Sequence, residues 1–376
     1  MKNRLTFFYF KSVLLLFFTL GCVTPVEPEF DFKEGLVFID AIASTQPGAS
    51  YVKILNSRVS RSTYFTDFIE NADVTFRNLI SGETVSLVQV EDNYIPPENF
   101  SVKVGETWEL NIVLSDGTRY NSLSETVLEP VPIDDISATY NPKLLFRDNS
   151  EEFVPGHSIS VSFNDPPNSD NYYYWKFTSF ETLTLCAKCD NSVLRNDECV
   201  DIPVGIDESP YFTYICSDDC WRIRQNENIK IFSDQFVNGS QVNALQVADV
   251  LLYTKENILV EIEQISLSAS AYEYFFILDN VVDNIGSFNA PPPAALIGNM
   301  FNPDDDQDYV LGRFIATGFS TKSIFINRSN INESMITDQL PLRFETSSID
   351  DEVIITVECK ESRIQTGIRP TNWIDN

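Results

Sequence analysis

The sequence predicts a mainly β protein with two antiparallel β-sandwich modules, the first of Ig-like or transthyretin-like size and the second larger. One α-helix and a cysteine-rich insertion complete the predicted fold. Short apolar runs bounded by turn residues recur along the chain, mostly with no helical period between them, as is typical of antiparallel sandwiches. The chain also contains 28 Phe and 15 Tyr against 3 Met, and aromatic side chains favour the pleated, half-buried surface of a sheet.

Length and charge limit the classes of protein that the chain can belong to. Its 376 residues are enough for two domains with separate cores. They carry 26 Lys and Arg against 55 Asp and Glu, a net charge of −29. Such a negative field repels phosphate backbones and anionic lipid headgroups, so we expect neither nucleic-acid binding nor membrane attachment through a basic patch.

The sequence predicts no enzyme, no cofactor and no metal site. The single histidine, His157, would have to serve any Ser-His-Asp or Cys-His relay, and multi-histidine zinc sites are excluded. We expect His157 to be solvated, because it follows Pro155-Gly156 in a loop-like stretch. Nucleophile-elbow, zincin, P-loop and dinucleotide-binding motifs do not occur in the sequence.

The N-terminal residues predict export and lipidation. Three positive residues within the first eleven precede a short apolar run that ends at Leu20 and is too short to span a bilayer. Gly21-Cys22 follows, and a small residue before a cysteine resembles the lipobox of bacterial lipoproteins. Residues 1–21 are therefore predicted to be a signal peptide and Cys22 the lipidation site. An ordinary signal peptide or an N-terminal membrane anchor is the alternative.

Residues 22–35 are predicted to be the acylated cysteine and an extended tether. Pro25 and Pro28 discourage a helix, and four acidic residues keep the segment solvated. Acidic residues soon after the lipidated cysteine also resemble the signal that carries some lipoproteins to the cell surface, with a plain linker as the alternative. The predicted location is the outer membrane, lipid-anchored and exposed at the cell surface.

The first sandwich is predicted over residues 36–131. Asp116-Gly117 and Ser81-Gly82 mark hairpin turns, because glycine accepts the positive φ that such turns require. The Pro-Val-Pro sequence at residues 130–132 ends the module. The candidate strands are Leu36–Ala43, Tyr51–Ser57, Asp73–Asn78, Thr84–Val90, Thr107–Leu114 and Thr118–Val127.

The second module, residues 132–376, contains an aromatic strand at Tyr172–Phe177. Strand alternation places Tyr172 and Tyr174 on the same face. Core packing is the commoner use of such a strand, and a ligand platform is the alternative. Together with Trp221, these two tyrosines are the candidates for a partner or ligand surface.

A cysteine-rich insertion is predicted at residues 186–220. Six cysteines remain after Cys22, and an exported compartment favours their oxidation to disulfides. A four-thiolate zinc knuckle is an alternative, because C-x-x-C is followed by C-x-x-x-C, and free or redox-active thiols are another. The pairing cannot be deduced from the sequence. The disulfide candidates are Cys186, Cys189, Cys199, Cys216, Cys220 and Cys359.

One helix is predicted at residues 270–285. Ser270 and Glu273 have the spacing of a capping box, and Gly286 provides a stop signal. The predicted apolar stripe consists of Ala271, Phe275, Leu278 and Val282.

An acidic run follows the helix at residues 304–308. Asp304, Asp306 and Asp308 alternate and would offer oxygen ligands to Ca²⁺, but the glycine and the distal glutamate of an EF-hand loop are missing. We therefore expect a solvated acidic loop.

Taken in order, these segments resemble the domain-of-unknown-function 4249 family of Bacteroidota outer-membrane lipoproteins. Their shared order and spacing carries the resemblance, and no one segment is specific. The resemblance implies two β-rich modules and, for many members, genes beside TonB-dependent receptors of the nutrient-uptake type. No catalytic residues are known for the family, so none is carried over. The matching segments are Gly35–Ala41, Asn71–Phe76, Phe163–Pro166, Ser268–Phe276, Pro292–Asn299 and Val310–Phe314.

The function expected is that of a non-enzymatic accessory or ligand-capture subunit of a TonB-dependent transporter or a similar outer-membrane complex. The lipid on Cys22 would hold the protein to the membrane, and an outer-membrane β-barrel would be its partner. A free-standing, adhesin-like structural lipoprotein is the first alternative. A glycosidase that uses two carboxylates is the second, because so many acidic residues make a suitable pair easy to form.

Overall fold

The computed structural model describes residues 35–60, 63–147, 151–183, 185–190, 192–195, 198–201, 212–217, 220–225, 228–283, 296, 298–336, 359 and 361–374. These residues are mainly β and form several sheets, with one α-helix among them. The predicted fold class, mainly β, is confirmed. The arrangement as two sandwiches stays a prediction.

The strands are numbered along the chain. The first nine are β1 Val37–Ser44, β2 Tyr51–Ser60, β3 Thr63–Phe68, β4 Asp73–Asn78, β5 Thr84–Val90, β6 Asn93–Ile95, β7 Thr107–Val113, β8 Arg119–Ser122 and β9 Glu125–Thr126. The next are β10 Asp135–Arg147, β11 Glu152–Asn164, β12 Tyr172–Thr182, β13 Leu185–Asp190, β14 Ser192–Arg195, β15 Glu198–Asp201, β16 Phe212–Ser217, β17 Trp221–Gln225, β18 Lys230–Ser233, β19 Gln241–Leu251 and β20 Ile258–Leu267. After helix α1, Ala269–Asp283, come β21 Met300–Phe301, β22 Val310–Thr317, β23 Phe319–Ile326 and β24 Gln365–Thr366.

The first sheet is nearly barrel-like. Its strand order is β21-β8-β7-β4-β5-β6-β2-β1-β22, with β3 beside β2 and β9 beside β7. Alternate residues face a common core, for example Trp108, Leu110 and Ile112 on β7. The two ends of the sheet meet because the side chain of Asn299 exchanges hydrogen bonds of 2.8 and 2.9 Å with the backbone of Phe314 on β22.

Both predicted hairpin turns of the first sheet are confirmed. Gly82 has a φ of 75° between β4 and β5, and Gly117 has a φ of 90° between β7 and β8. At the second turn, the backbone N–H of Thr118 donates to the side chain of Asp116 at 2.9 Å. Local turn chemistry therefore sets the register of these strand pairs.

The remaining strands form two larger sheets and two ribbons. The larger sheets have the orders β10-β11-β19 and β23-β20-β12-β17-β24, with β18 also beside β12. Their inner faces share one hydrophobic core, which includes Val161 and Phe163 of β11, Trp175 of β12, and Val260 and Ile262 of β20. The ribbons are β13-β16 and β14-β15, both within the cysteine-rich insertion.

The first sheet takes strands from both sides of the predicted boundary at residues 131 and 132. Strand β22 lies parallel to β1, with Ile39 opposite Gly312, although only antiparallel pairing was expected. A Cβ at Gly312, whose φ is 99°, would lie 1.9 Å from the carbonyl oxygen of Ile39. Glycine therefore permits the two backbones to approach, and the two predicted modules share a sheet.

Helix α1 begins earlier than predicted. The backbone N–H of Ala271 donates to the hydroxyl of Ser268 at 3.3 Å, so Ser268 is the N-cap. Ser270 instead accepts a hydrogen bond of 2.7 Å from the guanidinium of Arg313. The predicted capping box between Ser270 and Glu273 is therefore wrong, because a side chain from β22 competes for the serine. Residues 284–290, where the helix was expected to end, lie outside the described part of the chain.

Of the predicted apolar stripe, Ala271 is buried and Val282 is 45% exposed. Ala271 packs in a third hydrophobic cluster with Tyr174 of β12, Ile265 of β20 and Ile315 of β22. The first turns of α1 therefore seal the junction between the first sheet and the sheet that contains β12.

Candidate functional site

The structure pairs one set of the predicted disulfide candidates. Cys220 and Cys359 form a disulfide with their Cα atoms 5.6 Å apart. A four-thiolate zinc knuckle that uses Cys220 is therefore not formed. In the ribbon β13-β16, Cys186 is the register partner of Cys216. The side chains of Cys186, Cys189, Cys199 and Cys216 lie outside the described part of the structure, as does the predicted lipidation site Cys22.

The cysteine-rich insertion leaves the sheet and returns to it at one point. Thr182 at the end of β12 is paired with Trp221 at the start of β17. The backbone N–H of Leu183 donates to the carbonyl of Cys220 at 2.8 Å. The insertion is thus an enlarged loop between two neighbouring antiparallel strands.

The aromatic candidates for a partner surface are not exposed. Tyr174 is 7% exposed and stacks on Phe275 of α1 at 4.7 Å between ring centroids. Tyr172 is half-buried against Tyr272, and Trp221 is buried. Helix α1 covers the tyrosine face, and the C-terminal residues cover Trp221. The use of these residues as a contact surface stays a prediction.

A cavity of about 210 Å³ lies between the two larger sheets of the second part of the chain. It lies beside the edge of β12 along which β18 pairs with Tyr172–Trp175 and β17 pairs with Thr178–Thr182. The residues that line it include Phe177, Ser179, Arg224, Lys230, Asp249 and Tyr253.

The polar wall of the cavity contains a buried hydroxyl. Ser179 has no exposed surface, and its Oγ has no hydrogen-bond partner among the described residues. Ser179 lies on the same face of β12 as Phe177, and it is the register partner of Arg224 on β17. An unpaired buried hydroxyl is unfavourable unless something else completes its hydrogen bond.

Cations surround the cavity, although the whole chain is acidic. The guanidinium carbon of Arg224 lies 4.0 Å from the centre of the Tyr253 ring, and that of Arg147 lies 5.7 Å from it. The Lys230 ammonium lies 4.0 Å from Oδ2 of Asp249, which is beyond hydrogen-bond distance. The other oxygen of Asp249 accepts a bond of 2.6 Å from the amide of Gln246.

A buried ion pair holds the inner end of this wall in place. Arg328 and Glu181 are 0% and 1% exposed and are joined at 2.7 Å, and Arg224 Nε reaches the second oxygen of Glu181 at 3.1 Å. Burial lowers the pKa of Arg328, while the nearby Glu181 carboxylate opposes that shift. Arg224 is thus fixed between Glu181 and Tyr253, which pre-organises one side of the cavity.

His157 corrects a further prediction. It lies in β11 and is 4% exposed, with its ring 5.2 Å from that of Tyr140, and it is not a solvated loop residue. Burial, together with the positive charge of Arg328, lowers the pKa of His157 to about 4. The flanking Pro155-Gly156 sits inside a strand because β11 pairs on both sides, with β10 and β19.

Residues that carry the family resemblance meet in a second buried cluster. Glu125 accepts hydrogen bonds from Ser268 and Asn299, each at 3.2 Å, and pairs with Arg313. Burial raises the pKa of Glu125, and Arg313 opposes the shift. A Cβ at Gly298 would lie 1.6 Å from the carbonyl oxygen of Gly312. These segments therefore have a structural role: they join the two ends of the first sheet and hold the start of α1 against it.

The acidic run at residues 304–308 is tied to the first sheet. Asp304 pairs with Arg119, while Asp308 accepts bonds of 2.9 Å from Tyr120 and Asn302. No cluster of three or more His, Cys, Asp or Glu with the geometry for a metal ion occurs in the described ranges. Nor does the described part of the chain contain a helix long and apolar enough to span a membrane.

No sequence motif marks the cavity residues as a binding site. The alternation along β12 does indicate a polar site in the core. The buried positions run from Tyr173 through Trp175 and Phe177 and continue with the polar residues Ser179 and Glu181. Polar residues in an otherwise apolar inward register mark a buried polar site.

The chain was compared with protein-family models, curated proteins and solved structures. Residues 23–323 match the family model described as Domain of unknown function (DUF4249). No curated protein and no solved structure matched the chain. The match spans most of the chain. Ser268, Asn299 and Arg313, which lie in three of the matching segments, all contact Glu125 in the folded chain. The chain belongs to the DUF4249 family.

Proposed function

We propose that this protein is a lipid-anchored lipoprotein of the outer membrane that captures or presents a small ligand as a non-enzymatic accessory subunit of a TonB-dependent transporter or a similar complex. The observation that carries the ligand-capture role is the cavity beside β12, with the buried, unpaired hydroxyl of Ser179 and the cations of Arg224 and Lys230 in its lining. Preformed cavities with a mostly apolar lining and a few convergent polar groups are typical binding sites. The anchor and the β-barrel partner rest on Gly21-Cys22 and on the resemblance to outer-membrane lipoproteins.

The anchor is tested by Cys22→Ser. The variant should move from the membrane fraction to the soluble periplasmic or medium fraction and should lose labelling with a palmitate analogue, because the thiol that takes the lipid is gone. Wild-type protein in the same preparation is the control. A variant that still sediments with membranes and still takes the label would contradict the lipidation at Cys22.

The partner is tested by mild-detergent purification of the native complex from outer membranes. We expect an outer-membrane β-barrel to co-purify, as identified by mass spectrometry. A second variant replaces residues 184–219 with Asn-Gly. Because Leu183 and Cys220 are already joined by a backbone hydrogen bond, this turn should keep β12, β17 and the Cys220–Cys359 disulfide.

The shortened variant should be exported and folded but should retain less of the barrel, since it lacks the residues that we propose contact the partner. Its far-ultraviolet circular dichroism and melting temperature serve as the folding control. If wild-type protein purifies with no partner under these conditions, the free-standing adhesin replaces the accessory subunit.

One observation favours a two-carboxylate hydrolase as the second candidate. Glu261 and Glu263 lie two residues apart on β20, so their side chains share a face. Burial raises the pKa of both carboxyls, and for Glu263 the ammonium of Lys176 opposes the shift. Hydrolysis of aryl glycosides that disappears in Glu261→Gln and in Glu263→Gln would establish this activity. Equal rates in the variants and the wild type would exclude it.

A further inference from the structure

We propose that the cavity between the sheets of β12 and β19 binds a small organic carboxylate. This inference rests on the proposed ligand-capture function and names the class of ligand. The carboxylate group would meet the Lys230 ammonium and the Ser179 hydroxyl, and the apolar body of the ligand would lie against Phe177 and Leu145.

The cavity offers many more donors than acceptors. Lys230, Arg224, Gln225, Asn228 and Ser179 line it, and all of them can donate hydrogen bonds. Among the described residues of the lining, Asp249 is the one carboxylate, and one of its oxygens is already taken by Gln246 at 2.6 Å. A ligand group that only accepts hydrogen bonds complements such a wall, and a carboxylate is such a group.

The local charge also favours an anion. Glu181 balances the charge of Arg328 and shares that of Arg224, and Asp249 faces Lys230 at 4.0 Å without a hydrogen bond. Arg147 adds a further positive charge on the Tyr253 ring. Among the described residues, these groups give four cations against two carboxylates, a local excess of positive charge in a chain whose net charge is −29.

A carboxylate fits this site better than a phosphate or sulfate. Phosphate recognition commonly uses the free fork of an arginine, but Nε of Arg224 is bound to Glu181 and its face lies on Tyr253. The other half of the lining is apolar, with Phe177, Leu145 and Val250. A small apolar group with one terminal carboxylate matches both halves.

The test uses the whole mature chain with Cys22→Ser, so that titrations are made without detergent. Isothermal titration calorimetry is performed with acetate, butyrate, benzoate, neutral benzamide and inorganic phosphate. We expect saturable 1:1 binding of butyrate or benzoate, with benzamide at least tenfold weaker than benzoate because it lacks the charge. Binding of phosphate but of no carboxylate would overturn the ligand class, as would equal binding of benzamide and benzoate or no binding at all.

Two variants locate the site. Lys230→Met should weaken carboxylate binding at least tenfold, and Ser179→Ala should weaken it severalfold. The matched control is Lys143→Met, which removes an exposed lysine of β10 that lies 6.0 Å from the Phe153 ring and away from the cavity lining. Ser179→Ala should not lower the melting temperature, because it removes a hydroxyl that has no protein partner. Unchanged affinity in Lys230→Met would overturn the proposal.

The same proteins separate this proposal from the proposed function. Lipidated Lys230→Met should still co-purify with the β-barrel, because Lys230 lines the cavity and not the insertion. If the wild type recovers the barrel and binds no carboxylate, the ligand class is wrong and the accessory role stands. If it binds carboxylates and recovers no partner, the ligand class stands and the accessory role is wrong.

Discussion

At the scale of single residues, the buried ion pair of Arg328 and Glu181 should affect the free energy of unfolding more than any solvated ion pair on the surface. Both side chains are almost fully buried, and Arg328 also donates to the carbonyl of Thr254 at 3.3 Å. Removing one member of such a pair leaves the other charge buried without full compensation, which is far more costly than breaking a solvated pair. The pair therefore holds Arg224 in the wall of the cavity, and breaking it should lower the free energy of unfolding.

We expect Arg328→Met to lower the free energy of unfolding by about 3 kcal/mol. Glu181 keeps Arg224 as a partner, which places the expected loss at the low end for a broken buried pair. Arg58→Met is the matched control, since Arg58 and Asp67 pair at 2.6 Å but are both about half exposed, and it should cost less than about 1 kcal/mol. Urea denaturation of the two variants measures both values, and equal losses would contradict the assignment.

His157 makes stability depend on pH. Its pKa is about 4 in the folded protein and 6.5 as the ordinary value, so the unfolded chain binds the proton more readily. The contribution of the neutral imidazole is therefore fully present above pH 6.5 and is lost as the pH falls toward 4. Arg328 and Tyr140 are the charged and titratable groups that face it.

Between pH 7 and pH 5, the wild type should lose about 2 kcal/mol more of its free energy of unfolding than His157→Phe, at about 1.4 kcal/mol for each unit of pKa. The variant has no titrating group at this position, and the subtraction removes the contributions of the carboxyl groups. Urea denaturation at the two pH values measures the difference. Parallel losses in the two proteins would show that His157 is not buried as a neutral side chain.

At the scale of elements, the cysteine-rich insertion is a pair of ribbons attached at the end of the β12–β17 hairpin. Cys220 lies at the base of the insertion and forms a disulfide with Cys359. The C-terminal strand β24 pairs with β17 at the same edge of the sheet. Within ribbon β13-β16, Cys186 and Cys216 are directly opposite. The Cα distances of directly opposite residues in antiparallel strands fall within the range that a disulfide can bridge.

Peptide mapping under non-reducing conditions should therefore recover two linked pairs, Cys220–Cys359 and Cys186–Cys216, and by elimination a third between Cys189 and Cys199. The third would tie the two ribbons together. Mapping after reduction and alkylation is the control. Recovery of Cys186 linked to Cys189, or of four free thiols with bound zinc, would contradict the register-based assignment.

At the scale of the whole molecule, β22 makes the two halves of the chain one folding unit. Residues from both halves, such as Phe76 and Phe314, pack in the core of the first sheet with their rings 5.6 Å apart. Glu125 and Arg313 join the same halves by a buried ion pair. We therefore expect unfolding to be a joint event for the first sheet and the helix that covers the junction.

Gly312→Ala tests this coupling. The new Cβ would meet the carbonyl of Ile39, which is backbone and cannot move aside, so β22 should separate from β1 and the free energy of unfolding should fall by more than about 3 kcal/mol. Gly82→Ala also places alanine at positive φ but in open space, and it should cost only about 1–2 kcal/mol. Equal effects in thermal unfolding would show that the parallel pair does not hold the halves together.

The sequence by itself determined the features that depend on neighbouring residues. Alternation and aromatic content identified the mainly β class, Gly82 and Gly117 identified their turns, and a period of about 3.6 residues identified α1. Each of these signals arises within a few residues, so no knowledge of distant contacts is needed.

Only the tertiary structure decided which strands meet and what each side chain faces. Glu181 and Arg328 are separated by 147 residues, and Glu125 and Arg313 by 188, so no local pattern predicts either pair. The same holds for the burial of His157 and for the cavity, which residues of β10, β12, β17, β18 and β19 line together. Local periodicity sets the type of an element, whereas burial, pairing and pKa depend on the elements that pack against it.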